Sequence, residues 1–184
     1  ESYKSCIKVD CFNDSKILES VSDINKICVE IEHSYLGDLE IALISPSGDR
    51  IVLKAYAPYG GGGGLYLGGP RDYGVSPGEG AVYCFSLDAD ELLINGDLTL
   101  AGDPKSNSIK SGDYLPVDAF NTLLGSSLNG EWCLEIIDNL LFDNGYIFGW
   151  TIEFNNELEQ NEIEFQTEIV EYNWKYINEV FAEN

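Results

Sequence analysis

Five aspartates occupy positions from which a cation could be held: Asp38 directly after Gly37, Asp88 and Asp90 within Asp88-Ala89-Asp90-Glu91, and Asp138 with Asp143, the latter opening Asp143-Asn144-Gly145. Carboxylates are hard oxygen donors, and Ca2+ completes its shell of about six to eight such oxygens with backbone carbonyls and water. Asp88 and Asp90 share one side if the chain there is extended, because alternate residues of a strand point the same way. Asp138 and Asp143 admit a second role, in which a carboxylate accepts N–H bonds from its own turn. No loop of the Asp-x-Asp-x-Asp-Gly type is present. Calcium, gathered from loops, is therefore the expected cofactor.

Other chemistries find less support. His33 is the only histidine, so a Ser-His-Asp or Cys-His relay would have to use it. It ends an alternating stretch, Ile27-Cys28-Val29-Glu30-Ile31-Glu32-His33, and reads as a partly buried structural residue hydrogen-bonded beside the Gly37-Asp38 turn. No nucleophile segment accompanies it, and no enzyme activity of the chain itself is expected. The 32 acidic residues guarantee accidental carboxylate pairs, which removes the information from any pairing suited to glycoside hydrolysis. Gly60 to Gly64 is followed by Leu65-Tyr66-Leu67 instead of Gly-Lys-Ser/Thr and by no helical pattern, so it is not a phosphate cradle. The five cysteines, Cys6, Cys11, Cys28, Cys84 and Cys133, form no CxxC pair, which argues against zinc. They allow two disulfides and one free thiol, with the pairing open.

Strands are what must position these residues. Between Ile24 and Phe154 apolar and polar residues alternate over short stretches, the period of half-buried strands. Ile27, Val29 and Ile31 fall on one side, with Glu30 and Glu32 on the other. Leu39, Ile41 and Leu43 repeat the pattern, and Ser45-Pro46-Ser47-Gly48 turns the chain into Ile51-Val52-Leu53, so residues 39–54 read as a hairpin. Further strands are predicted at Ala81–Leu87, Glu131–Ile137 and Ile147–Phe154, while 60–74 and 102–118 read as loops. The class is all-β, in one domain over residues 1–155. Residues 156–184 form an acidic tail or linker. There Ile169, Tyr172, Tyr176, Ile177 and Val180 would share a helical face, although Glu162 to Ile169 alternates like a strand.

With 184 residues the chain is long enough to bury a core, and its 44% hydrophobic fraction fits a folded protein. Ten Lys and Arg against 32 Asp and Glu leave a net charge of -22, which repels phosphate backbones and anionic lipid. Neither nucleic acid nor membrane insertion is expected; no stretch reaches the roughly 20 apolar residues of a span.

Three segments carry a family resemblance. Ile31-Glu32-His33-Ser34-Tyr35-Leu36-Gly37-Asp38-Leu39 runs into Ile44-Ser45-Pro46-Ser47-Gly48. Ser111-Gly112-Asp113-Tyr114-Leu115-Pro116 precedes Phe120. Asn129-Gly130-Glu131-Trp132-Cys133-Leu134-Glu135-Ile136 leads through Asp138 and Asp143-Asn144-Gly145 to Gly149-Trp150-Thr151-Ile152. In this order, over residues 24–154, they resemble the P domain (P/Homo B domain) of subtilisin-like proprotein convertases and bacterial secreted proteases. The resemblance implies a jelly-roll-like antiparallel β-sandwich, an accessory role in a secreted or cell-surface multidomain protein, and a catalytic neighbouring domain as partner. It also implies a calcium site near Asp88 and Asp90. The alternative is an adhesive module binding glycan or protein, for which Tyr56, Tyr59, Tyr66, Tyr73 and Trp174 are the candidate aromatics.

Overall fold

The computed structural model describes residues 2–57, 63–71, 76–140 and 143–158; the stretch expected to be helix or strand beyond 158 lies outside them. Two β-sheets face each other. One has four strands in the order β1 (Ser2–Val9), β10 (Gly130–Asp138), β3 (Leu39–Ile44) and β4 (Arg50–Lys54). In the other, β2 (Ile24–His33) lies antiparallel to β11 (Gly145–Phe154) along one edge. Its second edge meets β6 (Ala81–Phe85) and, at His33, β5 (Tyr66–Leu67). Beyond these lie β7 (Leu98–Ala101), β8 (Ser106–Ile109) and β9 (Gly112–Tyr114).

The alternation seen in the residues sets the layers. Ile27, Val29 and Ile31 of β2 are buried, as are Leu39, Ile41 and Leu43 of β3 and Trp132, Leu134 and Ile136 of β10, and all belong to one hydrophobic cluster. Removing this apolar surface from water is the main drive to the sandwich. The expected hairpin is β3–β4, closed by Gly48 at φ +91°, whose N–H donates to the Ser45 carbonyl at 2.9 Å. On the outer face Arg50 joins three strands, donating to Glu135 at 2.9 Å and Glu40 at 2.6 Å.

Residues 102–118 are not the continuous loop that was expected, since β8 and β9 fall within them. These strands pair in parallel, β8 with β5 and β9 with β6, a departure from a purely antiparallel sandwich. Ser106-Asn107-Ser108 shows no apolar alternation. It is fixed by tertiary bonds instead, the Ser108 hydroxyl reaching the carbonyls of Gly68 at 2.8 Å and Tyr66 at 3.1 Å.

The cysteine pairing, open in the sequence, is Cys6–Cys133 and Cys28–Cys84, with Cys11 free. Each bridge joins residues directly opposite on adjacent strands, Cys6 to Cys133 between β1 and β10 and Cys28 to Cys84 between β2 and β6. One bridge therefore staples each sheet internally.

Glu32 is the outlier on the outer side of β2. The segment around Gly78 covers it: its Oε1 accepts the Gly78 N–H at 3.2 Å, and its Oε2 has no hydrogen-bond partner among the described residues. Burial pushes this carboxyl above its ordinary range, against the lowering effect of Gly78. The native state then holds the proton more tightly than the unfolded chain, so stability falls as pH rises past the ordinary glutamate value of about 4.3 toward the raised one. Glu32→Gln removes the charge that must be buried at neutral pH and is expected to raise the melting temperature by about 2–4 °C, equivalent to about 1 kcal/mol. Calorimetry at pH 7.5 and pH 5 tests this, with a gain that shrinks at the lower pH; a lower melting temperature at both pH values would contradict it.

Candidate functional site

The core stops being apolar at the same level in both sheets. Counting by twos along β2, the inward positions Ile27, Val29 and Ile31 are followed by His33; along β10, Trp132, Leu134 and Ile136 are followed by Asp138. Strand parity thus points the imidazole and the carboxylate into the same layer from opposite sheets. The His33 Nε2 lies 3.8 Å from Asp138 Oδ2, while its Nδ1 accepts the Tyr35 N–H at 3.0 Å. An accepting Nδ1 leaves the proton on Nε2, the nitrogen that faces Asp138. Burial pushes the imidazole below its ordinary range, opposed by the charges of Asp138 and Asp143. His33 is therefore buried and neutral, and it is hydrogen-bonded to Tyr35, two residues on, where the sequence suggested a partly buried residue bonded beside the Gly37-Asp38 turn; its pairing across the sandwich with Asp138 was not foreseen.

Beside this pair a cavity of about 500 Å3 opens between the first residues of β1 and of β11. Among the described residues its apolar lining comes from Ile31, Leu39, Ile136 and Ile147, and its charged lining from Asp138 and Asp143. The turn into β11 is shaped for this place. Asn144 is held by Ser34, whose N–H donates to its carbonyl at 3.1 Å, and a Cβ on Gly145 would stand 2.3 Å from His33 Cδ2. Only glycine fits beside the imidazole there.

The five candidate aspartates do not converge. Asp138 and Asp143 share the cavity. Asp88 and Asp90 are exposed in the turn after β6, whose Phe85 opposes Ile27, six residues before His33 along β2. At about 3.3 Å per residue this puts them roughly 20 Å away. Asp38 is buried; its carbonyl accepts from the Asn139 backbone N–H at 3.0 Å and side chain at 2.9 Å, and its Oδ2 has no hydrogen-bond partner among the described residues. Among the described residues no three His, Cys, Asp or Glu side chains form a group that could hold a metal ion. A cation at any of these places would have to draw mainly on carbonyls and water.

Around Asp38 those carbonyls are already in use. Lys54, buried at the end of β4, donates from Nζ to the carbonyls of Leu36 and Leu39 and, at 3.5 Å, of Gly37. Burial pushes the ammonium down to about 8, against the upward pull of Asp38 and Glu40. Nothing in the spacing of Lys54 distinguishes it from a solvated lysine, and sequence reasoning missed it.

Of the aromatics considered for glycan stacking, Tyr56 and Tyr66 fall among the described residues. Tyr66 is buried, with its ring 2.9 Å from where a Cβ on Gly102 would stand, so it is a packing residue and not an exposed platform; Tyr56 is half-buried. Tyr59, Tyr73 and Trp174 lie outside the described residues. No helix among the described residues is long and apolar enough to cross a membrane.

Compared with known families, residues 23–62 match the proprotein convertase P-domain. This stretch contains β2, the turn at Leu36–Asp38 and the β3–β4 hairpin, and thus the first of the three segments that carried the resemblance. No match is found among curated proteins.

Proposed function

We propose that the chain serves as a non-catalytic accessory domain of a secreted or cell-surface protein, packing against a catalytic, proteolytic neighbour that it stabilises or helps to orient substrate. The observation that carries this reading is the P-domain match over residues 23–62, the segment that supplies the central strand of one sheet and a hairpin of the other. Two disulfides in a domain of this size favour an oxidising compartment. The test is the parent protein with and without this domain. Deletion is expected to lower the melting temperature or the folded yield of the neighbouring domain, and a neighbour that folds and works equally well alone would overturn the reading. Specific binding on a glycan array would favour the adhesive alternative.

Calcium belongs to the proposal as a stabilising ion. The exposed turn with Asp88 and Asp90 leaves room for carbonyls and water, whereas Lys54 takes the carbonyls near Asp38 and the cavity beside Asp138 and Asp143 has an apolar floor. An ion that binds only the folded state adds RT ln(1 + [L]/Kd), about 1.4 kcal/mol at tenfold excess over Kd. After chelation, 1–5 mM CaCl2 is expected to raise the melting temperature by a few degrees in the wild type and not in Asp88→Asn/Asp90→Asn. An unchanged transition would remove calcium from the proposal.

A further inference from the structure

We infer that the free edge of β1 is the docking site of residues 163–169 of this same chain, which would add to the four-stranded sheet as an antiparallel fifth strand. Among the described residues β1 pairs with β10 alone, so its outer edge presents a row of N–H and C=O groups of the kind that folded proteins cover or blunt. The strand is accessible: Lys4, Cys6 and Lys8 are exposed, and Ser5 and Ile7 are half-buried. Its side chains divide by parity. Ile7 lies opposite buried Trp132 and faces the core, while Lys4 and Lys8 face outward opposite Glu135 and Glu131.

Both faces match the alternation of Ile163-Glu164-Phe165-Gln166-Thr167-Glu168-Ile169. Glu164 and Glu168 carry the four-residue spacing of Lys4 and Lys8, and an antiparallel pair that sets Glu164 opposite Lys8 sets Glu168 opposite Lys4. Each lysine then stands between two glutamates on one face of the sheet. Lys8 has only an exposed contact with Asp10 at 3.3 Å, which holds it weakly. On the inner face the same register brings Phe165 opposite Ile7, at a cavity of about 330 Å3 between the ends of β1 and β11 whose lining includes Ile7, Val9, Ile152 and Phe154. Ile7, Ile152 and Phe154 are half-buried, so a ring laid there covers apolar surface that is still wet. The approach is short. Phe154 meets Phe12, three residues past Val9, edge to face at 5.4 Å, and the N–H of Leu158, the last described residue, donates to the Asn155 carbonyl at 3.1 Å. Five further residues span about 17 Å at full extension, enough to bring Ile163 beside Val9. The other free edge at this seam, β11, holds no lysine or arginine and presents Glu153 instead. The inference needs neither a catalytic neighbour nor calcium at the Asp88 turn.

The experiment is amide hydrogen exchange of the whole chain, followed by two-dimensional NMR. Those amides of Ser2–Val9 that do not bond to β10 are expected to exchange at least tenfold more slowly than in Glu164→Lys/Glu168→Lys, a change that leaves every residue of the sandwich in place. Adding Lys4→Glu/Lys8→Glu to that variant exchanges the charges across the pair and is expected to restore the protection at least in part. Glu159→Lys/Glu171→Lys, the same change of charge outside the paired stretch, leaves it intact. Register is checked by cross-linking: in a Cys11→Ser background, Lys4→Cys/Glu168→Cys should oxidise to a disulfide between the two positions, seen by mass spectrometry of the unreduced digest, and Lys4→Cys/Glu164→Cys should not. Equal exchange in the native chain and in Glu164→Lys/Glu168→Lys, no restoration by the exchanged charges in a folded protein, or a cross-link in the second cysteine pair and not the first would each overturn the inference. So would protection found on β11 in place of β1, or protection that rises with protein concentration and therefore comes from a second copy.

Discussion

Lys54→Ala is expected to destabilise the domain by about 3–5 kcal/mol, the cost typical of removing one partner from a buried polar assembly. The carbonyls of Leu36, Gly37 and Leu39 lose the ammonium as a donor together, though Leu36 keeps the Leu39 N–H and Gly37 the Ala57 N–H, and the buried Asp38 carboxylate loses a nearby positive charge. The effect should appear as a shift of the urea midpoint at constant slope. Lys54→Met keeps the apolar stem and should lose less, and adding Asp38→Asn to it should recover part of the deficit. The pH dependence gives a second reading. A lysine at about 8 in the native state, against an ordinary value near 10.4, is deprotonated earlier when folded, so the unfolded chain binds more protons between these values. Stability therefore rises with pH from about 8 upward in the wild type. The Lys54→Ala variant should lack that rise, and a wild-type profile flat from pH 7 to 9.5 would show that the ammonium is not held as described.

Replacing both Cys6 and Cys133 by serine is expected to remove about 4–5 kcal/mol. The bridge closes a separation of 127 residues, and the chain-entropy account makes long closures worth most. Cys28–Cys84, at a separation of 56, should be worth roughly 0.7 kcal/mol less on the same account. Denaturant unfolding of the two double variants orders them, and a larger loss from the shorter closure would show that native-state effects outweigh the unfolded-state term.

The strands that build the core were legible because their side chains alternate: Ile27, Val29 and Ile31, or Trp132, Leu134 and Ile136, announce an inner face without reference to any neighbour. What could not be read was adjacency. Cys28 opposes Cys84 because β6 returns along β2, a fact of topology that spacing does not contain. β8 and β9 escaped notice because short pairings, parallel to β5 and β6 and antiparallel to β7, and the Ser108 hydroxyl hold them, with no apolar period of their own. The candidate site divides in the same way. Asp138 and Asp143 were visible as acids near a turn, and His33 as the end of a strand, but their meeting follows from carrying the strand parity one step past the last apolar residue. Lys54 was hidden because its burial comes from a turn 15 to 18 residues earlier in the chain.

The placement of the bridges also decides how the domain would respond to being pulled between neighbours. Cys6 and Cys133 join the first strand to a strand near the end of the fold, so the 127-residue separation between them is withdrawn from extension under load. Tension entering at the amino end passes through the sulfurs into β10 and bypasses the hairpin and most of the larger sheet. Only the carboxyl-terminal part, including β11, is left free to peel. The same bonds that hold strands in register would make most of this module a short, stiff link, and its first point of mechanical yield would be the strand that borders the cavity.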